Sequence, residues 1–287
     1  MSNRLNVLKT CKLYIGGKFS RSESEHFFQV PDKKQKPLAN LCRASRKDLR
    51  NAIQVARKAQ AGWAGRSAYN RGQILYRMAE MMEGRRDQFI AELERAVSSK
   101  RRAENEVDLA IDRLVHYAGW TDKYSALFST VNPVASPHFN FSIPEPTGVA
   151  GIVAPDEQPL AALISLIAPV IAGGNVCVVL ASEKYGSVAC TLAEVIHSSD
   201  VPGGVVNVLT GFRADLVPHL AGHMDVNAVL FAADDPEQKK VIQENAHLNV
   251  KRVHFYEGTD WMKDDAQSPY YIIDFQEFKT TWHPVGT

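Results

Sequence analysis

A chain of 287 residues can enclose one large domain or two small ones around a substantial core. Its 33 basic and 32 acidic side chains leave a formal charge of +1, and nothing in that balance suggests a nucleic-acid or membrane surface. The short cluster Lys100, Arg101, Arg102 is read as a solvated loop. The opening segment MSNRLNVLKTCKLYIGG carries no apolar run that would make a secretory leader. The four cysteines, Cys11, Cys42, Cys177 and Cys190, show no paired or metal-like spacing, so reduced thiols in a cytoplasmic protein are expected.

In chain order, KLYIGGKF (12–19) predicts two short strands around a Gly-Gly turn. A helix is expected over 45–63, where Ser45 precedes Lys47 and Asp48 and the apolar positions are Leu49, Ile53, Val55 and Ala56. A second runs over 70–97 through Ile74, Met78, Met82, Phe89 and Leu93, with a break near Gly84. A third, over 102–124, places Val107, Ile111, Leu114 and Val115 on one face and carries a lone His116, read as a packing residue. The alternation HFNFSI (138–143) then predicts an exposed hairpin strand, followed by the turn Pro144-Glu145-Pro146-Thr147-Gly148.

From there strands and helices alternate. Strands are expected over 148–155, 175–182, 205–211, 227–233 and 250–256, with helices over 158–172, 185–198, 213–222 and 236–246. Apolar runs separated by helices predict an α/β fold: a Rossmann-like parallel sheet with helices on both faces, which binds ligands beyond the carboxyl ends of its strands. The uncharged stretch 160–181 invites a membrane-spanning reading, but Pro169 and the Gly173-Gly174-Asn175 turn divide it into a buried helix and a β-branched strand. His219 and His223 have zinc-chelating helical spacing, yet no nearby third ligand or glutamate completes the pattern, so they are read as surface or cap residues. YYIIDFQEFKTTWHPV (270–285) returns to two-residue alternation and predicts an antiparallel strand outside the parallel sheet, paired with 138–143 or with another subunit.

The order and wording of these segments resemble the aldehyde dehydrogenase superfamily over nearly the whole chain. LYIGGKF resembles its opening strand, YAGWTDKYSALF (117–128) the passage before its hairpin, and EPTGVAGIVAP (145–155) its first Rossmann strand. IAPVIAGGNVCVVLASE (167–183) resembles the next helix, turn and strand, VPGGVVNVLTG (201–211) the third strand, and EFKTTW the closing oligomerisation strand. The resemblance implies NAD(P)-dependent aldehyde oxidation: a cysteine attacks the aldehyde, hydride passes to nicotinamide, a glutamate activates water, and an asparagine helps hold the oxyanion.

Position by position, this sequence departs from that pattern. Where the family has an aromatic, the oxyanion asparagine and another aromatic after a proline, Pro155 is followed by Asp156, Glu157 and Gln158. Glu157 thus replaces a donor whose loss costs on the order of 10²–10³ in rate. The family's lysine, proline, serine, glutamate at the adenosine ribose is here Leu180, Ala181, Ser182, Glu183, so an acceptor survives at Glu183 but no charge for a 2′-phosphate. The Thr-Gly-Ser turn that faces the dinucleotide phosphates is replaced by Ala232-Ala233-Asp234-Asp235-Pro236-Glu237-Gln238, in which Asp235 is expected as N-cap, Pro236 as first helical residue and Gln238 as capping-box partner. Tyr256 stands where the catalytic glutamate belongs; Glu257, one residue on, would face the other side of the sheet. Only 257–268 separate this strand from the tail, and a domain needs at least ~50 residues, so the catalytic-cysteine domain has no room between them. Cys177 and Cys190, in apolar company, are read as buried structural thiols.

The resulting expectations are these. Strands and helices of 1–136 pack on a Rossmann-like core at 148–256, with an oligomerisation hairpin at 137–147 and a linker and oligomerisation strand at 257–287, all one compact unit. No catalytic residue and no metal ligand is expected. Vestigial cofactor contacts fall on Ala154, Pro155 and Glu183, so NAD would bind weakly at best. The chain would be non-catalytic and act in assembly, as a homo-oligomer or with a full-length aldehyde dehydrogenase, without nucleic acid or membrane. Two other readings stand beside this one: an NAD-dependent oxidoreductase completed in trans by a partner, and a nucleotide-binding module.

Overall fold

The structure, a computed structural model, describes residues 7–96 and 99–286. The first six residues of the opening segment, and Val97 at the end of the second expected helix, lie outside the described residues. Five strands come first: β1 (Lys9–Cys11), β2 (Leu13–Ile15), β3 (Lys18–Ser20), β4 (Phe27–Pro31) and β5 (Pro37–Cys42). Gly16 and Gly17 turn β2 into β3 with φ of 62° and 80°, a region in which a Cβ is strained. The helices α1 (Arg46–Ala64), α2 (Ala68–Glu83), α3 (Arg86–Ala96), α4 (Lys100–Trp120) and α5 (Tyr124–Phe128) follow. Ser45 caps α1 in a full capping box with Asp48.

Two strands then lead into the parallel sheet: β6 (Thr130–Asn132) and β7 (His138–Pro146). The alternating units are β8 (Val149–Val153), α6 (Pro159–Ala172), β9 (Val176–Leu180), α7 (Gly186–His197), β10 (Val206–Leu209), α8 (Arg213–Gly222), β11 (Ala228–Phe231), α9 (Pro236–Ala246) and β12 (Arg252–Phe255). The chain closes through α10 (Tyr270–Ile273) and β13 (Gln276–Pro284).

The main sheet has strand order β12-β11-β8-β9-β10-β2-β3. Its first five strands are parallel, as the apolar runs predict. With the right-handed crossovers that parallel strands favour, α6 and α7 cover one face on the way from β8 to β10, and α8 and α9 the other on the return to β11 and β12. Accordingly α6 packs on α7 and α8 on α9, while α4 covers α6 as an outer layer. Every residue of α6 is buried, which accounts for its uncharged sequence without a bilayer. Among the described residues no helix is long and apolar enough to cross a membrane. One hydrophobic cluster runs through the molecule from Leu13 to Phe275.

Several expectations change. Lys100, Arg101 and Arg102 are not a loop but the exposed first turn of α4. Val115 is 42% exposed, off the buried face formed by Val107, Ile111 and Leu114. The strands of 12–19 do not merely pack on the core: β2 pairs antiparallel with β10 through Tyr14 and Val208 and extends the main sheet. Strands β4 and β5, unread in the sequence, form a separate sheet of order β1-β5-β4. The tail is not strand throughout, because 270–273 is a helical turn that buries Ile272 ahead of Phe275.

The third sheet, β13-β7-β6, pairs the tail with the hairpin strand from Gln276↔Pro146 to Pro284↔His138. Directly opposed residues share a face, so this register sorts the aromatic side chains. Phe278 and Trp282 lie with Pro144, Ser142 and Asn140 on one face, whereas Phe139, Phe141 and Ile143 lie with Val131 on the other.

Candidate functional site

The crevice beyond the carboxyl ends of β8, β9, β11 and β12 is where a doubly wound sheet holds its ligand. Each strand end here is engaged by the chain's own groups. After β8, the Ala154 carbonyl accepts a 2.8 Å hydrogen bond from Arg213 Nη2, a side chain reaching across from the start of α8. The same nitrogen donates to Asp156 Oδ1 at 2.8 Å, and Ser182 Oγ, after β9, donates to that oxygen at 2.6 Å. The Arg213 and Asp156 side chains are only 10% and 17% exposed, so the pair is largely withdrawn from water. Burial pushes the Asp156 carboxyl up, but the Arg213 charge and the hydrogen bonds from Ser182 and Arg213 outweigh it and hold the group below the usual carboxylate range.

Glu183 does not present a free acceptor pair. One of its oxygens accepts a 2.6 Å hydrogen bond from the Arg213 backbone N–H and so caps α8. It also lines a cavity of about 540 Å³ with Phe28, Asp32, Lys184, Tyr185 and Phe212. Pro155 is buried beside Ala154, whose N–H is spent on Leu180. Glu157, in the oxyanion position of the resemblance, is exposed, and Gln158 takes the left-handed conformation at φ 49° while its Nε2 donates to Asp260 at 2.6 Å.

The amino end of α9 is closed in the same manner. Pro236 has no N–H, the amides of Glu237 and Gln238 both donate to Asp235 Oδ1 at 3.0 Å, and that of Lys239 donates to the Asp235 carbonyl. A helix end with every first-turn donor bound internally has little left to offer an anion. Gln238 differs from its expected role: its amide nitrogen donates to Asp235 Oδ2 at 2.6 Å instead of its oxygen accepting from the cap backbone.

After β12 the two neighbouring residues part. Glu257 pairs with Lys239 of α9 at 2.6 Å. Tyr256 turns the other way, its hydroxyl donating to Asp274, its ring edge-on to Trp261 and to Tyr271 at 6.2 Å and 5.1 Å. Burial, with the Asp274 charge, raises the Tyr256 hydroxyl far above its ordinary range, so it has no standing as a base near neutrality. Residues 257–268, expected as a linker, instead fold against the sheet end. Trp261 and Ala266 are buried, Arg113 Nη2 donates to the Lys263 carbonyl at 2.8 Å, and the Tyr117 hydroxyl donates to the Ser268 carbonyl at 3.3 Å.

Two charged residues of this region went unread. Glu106 and Arg113 are buried on the apolar stripe of α4. Glu106 Oε1 accepts from the amides of Leu160 and Ala161 at 2.9 Å and 3.3 Å, supplying the cap that Gln158 does not, and burial raises its carboxyl above the usual range. A charge on an apolar stripe was the available signal. The remaining candidates sit apart. His116 packs edge-on to Tyr117 at 5.0 Å. His223 Nδ1 accepts from the Asp225 amide at 3.1 Å, and no group of three or more metal-binding side chains gathers among the described residues. Cys177 is fully buried, which pushes its thiol up.

Comparison with known proteins agrees with this architecture. The NAD⁺ complex of aldehyde dehydrogenase from Bacillus cereus superposes with a TM-score of 0.82 at 23% identity, covering 87% of this chain and 51% of that one. Cytosolic aldehyde dehydrogenase 1 of Elephantulus edwardii is 32% identical over 251 residues, 84% of this chain and 49% of that protein. The mitochondrial benzaldehyde dehydrogenase of Antirrhinum majus is 31% identical over 248 residues, 84% of this chain and 46% of that protein. The chain therefore spans about half the length of the curated relatives it matches. Residues 19–260 match the aldehyde dehydrogenase family, and with the fold and the motif order in agreement the chain belongs to that family.

Proposed function

We propose that this chain is a non-catalytic aldehyde dehydrogenase relative whose role is assembly, with copies of itself or with a full-length dehydrogenase. The observation that carries this reading is the β13-β7-β6 sheet, which exposes apolar groups on both faces. Phe278 and Trp282 are 48% and 57% exposed on one face, and Phe139 and Val131 46% and 69% on the other. Three strands with half-exposed apolar side chains on both faces are marginal in water, and β13 also presents an open edge. A second chain meeting this sheet around a two-fold axis would cover the same surface on both copies. The free cysteines favour a reducing, cytoplasmic setting.

Light scattering tests this. The intact chain is expected to be oligomeric at micromolar concentration, and Phe278→Glu with Trp282→Glu to yield monomers with a thermal midpoint close to that of the parent. Truncation would not discriminate as well, since Ile272 and Phe275 belong to the main core. A monomeric parent chain removes the role assigned to the sheet.

The hydrogen bonds already made at the strand ends speak against tight binding of the dinucleotide that the family implies. Arg213 and Asp156 link the Ala154 carbonyl to Ser182, Glu183 caps α8, and the α9 amides are spent on Asp235. NAD is accordingly expected to bind more weakly than millimolar, about −4 kcal/mol at most, and incubation with aldehydes and NAD to yield no reduced cofactor. A micromolar constant in titration calorimetry would favour instead a nucleotide-binding role through the Glu183 cavity.

A further inference from the structure

The sequence offers no reason to connect Cys11 with Cys190, yet the fold brings them together. Cys11 ends the edge strand β1, and Cys190 lies on the inner side of α7. With Val30, Ala39 and Leu41 they form a small buried cluster apart from the main core, sealed by Phe28. Cys190 Sγ lies 3.8 Å from the carbonyl oxygen of Lys12, the residue after Cys11. Two cavities, of about 230 Å³ and 240 Å³, open on either side of the pair; the first is lined by Cys11 and the second by Cys190, and Lys9 borders both.

We propose that Cys11 and Cys190 are a dithiol that small hydroperoxides convert to a disulfide, with Cys11 as the attacking sulfur and Cys190 as the resolving thiol. The roles follow from their surroundings. A hydrogen bond from Cys190 stabilises the Cys11 thiolate; burial opposes this and the Lys9 ammonium adds to it, so the Cys11 thiol is held below its usual range. The same hydrogen bond, with burial, holds the Cys190 thiol well above it. Lys9 is kept in place by Glu194 at 2.8 Å, itself bound to Arg85 at 3.0 Å.

The chemistry balances in two steps. The Cys11 thiolate attacks the outer oxygen of the hydroperoxide, the O–O bond breaks, and an alcohol or water leaves once protonated, with Cys11 now a sulfenic acid. The Cys190 sulfur then displaces that hydroxyl as water, its thiol proton leaving with it, and the S–S bond forms. Both sulfurs together give up two electrons, and the peroxide takes them. Access requires β1 to open: it is three residues long and lies at the edge of its sheet, where among the described residues it pairs with β5 alone through Lys9, Thr10 and Cys11, and short edge strands open at low local cost. Once formed, the bond joins the β1-β5-β4 sheet to a helix of the parallel core.

The test uses the full native chain. Treat it with dilute hydrogen peroxide, block remaining thiols with iodoacetamide under denaturing conditions, digest without reduction and map the peptides by mass spectrometry. A cross-linked pair carrying Cys11 and Cys190, short by two hydrogens and released by dithiothreitol, is expected, with Cys42 and Cys177 recovered as alkylated thiols. In Cys190→Ala the bridge is lost and dimedone labels Cys11 as sulfenic acid. The wild-type map decides on its own: recovery of Cys11 and Cys190 as free thiols, or of Cys11 as an unbridged sulfinic acid, overturns the proposal.

Discussion

Asp156→Ala is expected to lower the stability of the fold by about 3–5 kcal/mol, because it leaves the Arg213 guanidinium buried without its counter-charge. The substitution removes one of the two acceptors of Arg213 Nη2 and the acceptor of Ser182 Oγ together, while Lys184, 3.7 Å away and largely exposed, loses little. Adding Arg213→Met should restore most of the loss, since an apolar pair of similar volume needs no solvation. Urea unfolding monitored by circular dichroism gives the comparison, and a loss for Asp156→Ala under ~1 kcal/mol would show that water reaches the pair and that the crevice is open. The pH dependence has a definite sign. Asp156 titrates lower in the folded chain than in the unfolded one, so its contribution is complete above the unfolded value of about 3.9 and is lost as pH falls through the folded value. Wild type should therefore approach Asp156→Ala in stability below about pH 4, and stay apart from it at neutrality.

That ion pair also marks where sequence reading stops. The apolar runs Val149–Val153 and Val176–Leu180 announce a sheet covered on both sides, and Ser45 with Asp48 announces a helix start, because each signal is local. The Asp235 cap was legible for the same reason, although the orientation of the Gln238 amide was not. Arg213 and Asp156 are separated by most of two βα units, and no periodicity predicts which side chain will cross a crevice. The contact between Cys11 and Cys190 is likewise tertiary. In the tail the pattern itself was ambiguous: Ile272 and Phe275, three apart, suit one helical turn, while the alternation from Gln276 onward suits a strand, and the boundary between them depends on packing against α6. How the aromatic residues of 138–143 and 276–284 divide between the two faces was not legible, because face membership across strands is set by register, which the sequence of either strand alone does not contain.

Trp261→Ala is expected to destabilise the protein by about 3–5 kcal/mol, the cost of emptying a large aromatic site in a core that only partly collapses. The expectation follows from how 257–275 is held. Trp261 is 2% exposed and edge-on to Tyr256, the residue that follows β12, and Ala266, Ile272 and Phe275 enter the same hydrophobic cluster. The α4 side chains Arg113 and Tyr117 bind the carbonyls of Lys263 and Ser268 between them, so the segment is anchored along its length to a helix far away in sequence. Asp265→Ala, at an exposed position four residues on, supplies the contrast and should change stability by no more than ~0.5 kcal/mol. Thermal unfolding of the two variants beside the parent separates the alternatives. Equal midpoints for Trp261→Ala and Asp265→Ala would make 257–275 a loosely laid connection. A large gap would mean that the passage between β12 and β13 has become part of the core, built across the sheet end that the Tyr256 hydroxyl and Asp274 now occupy.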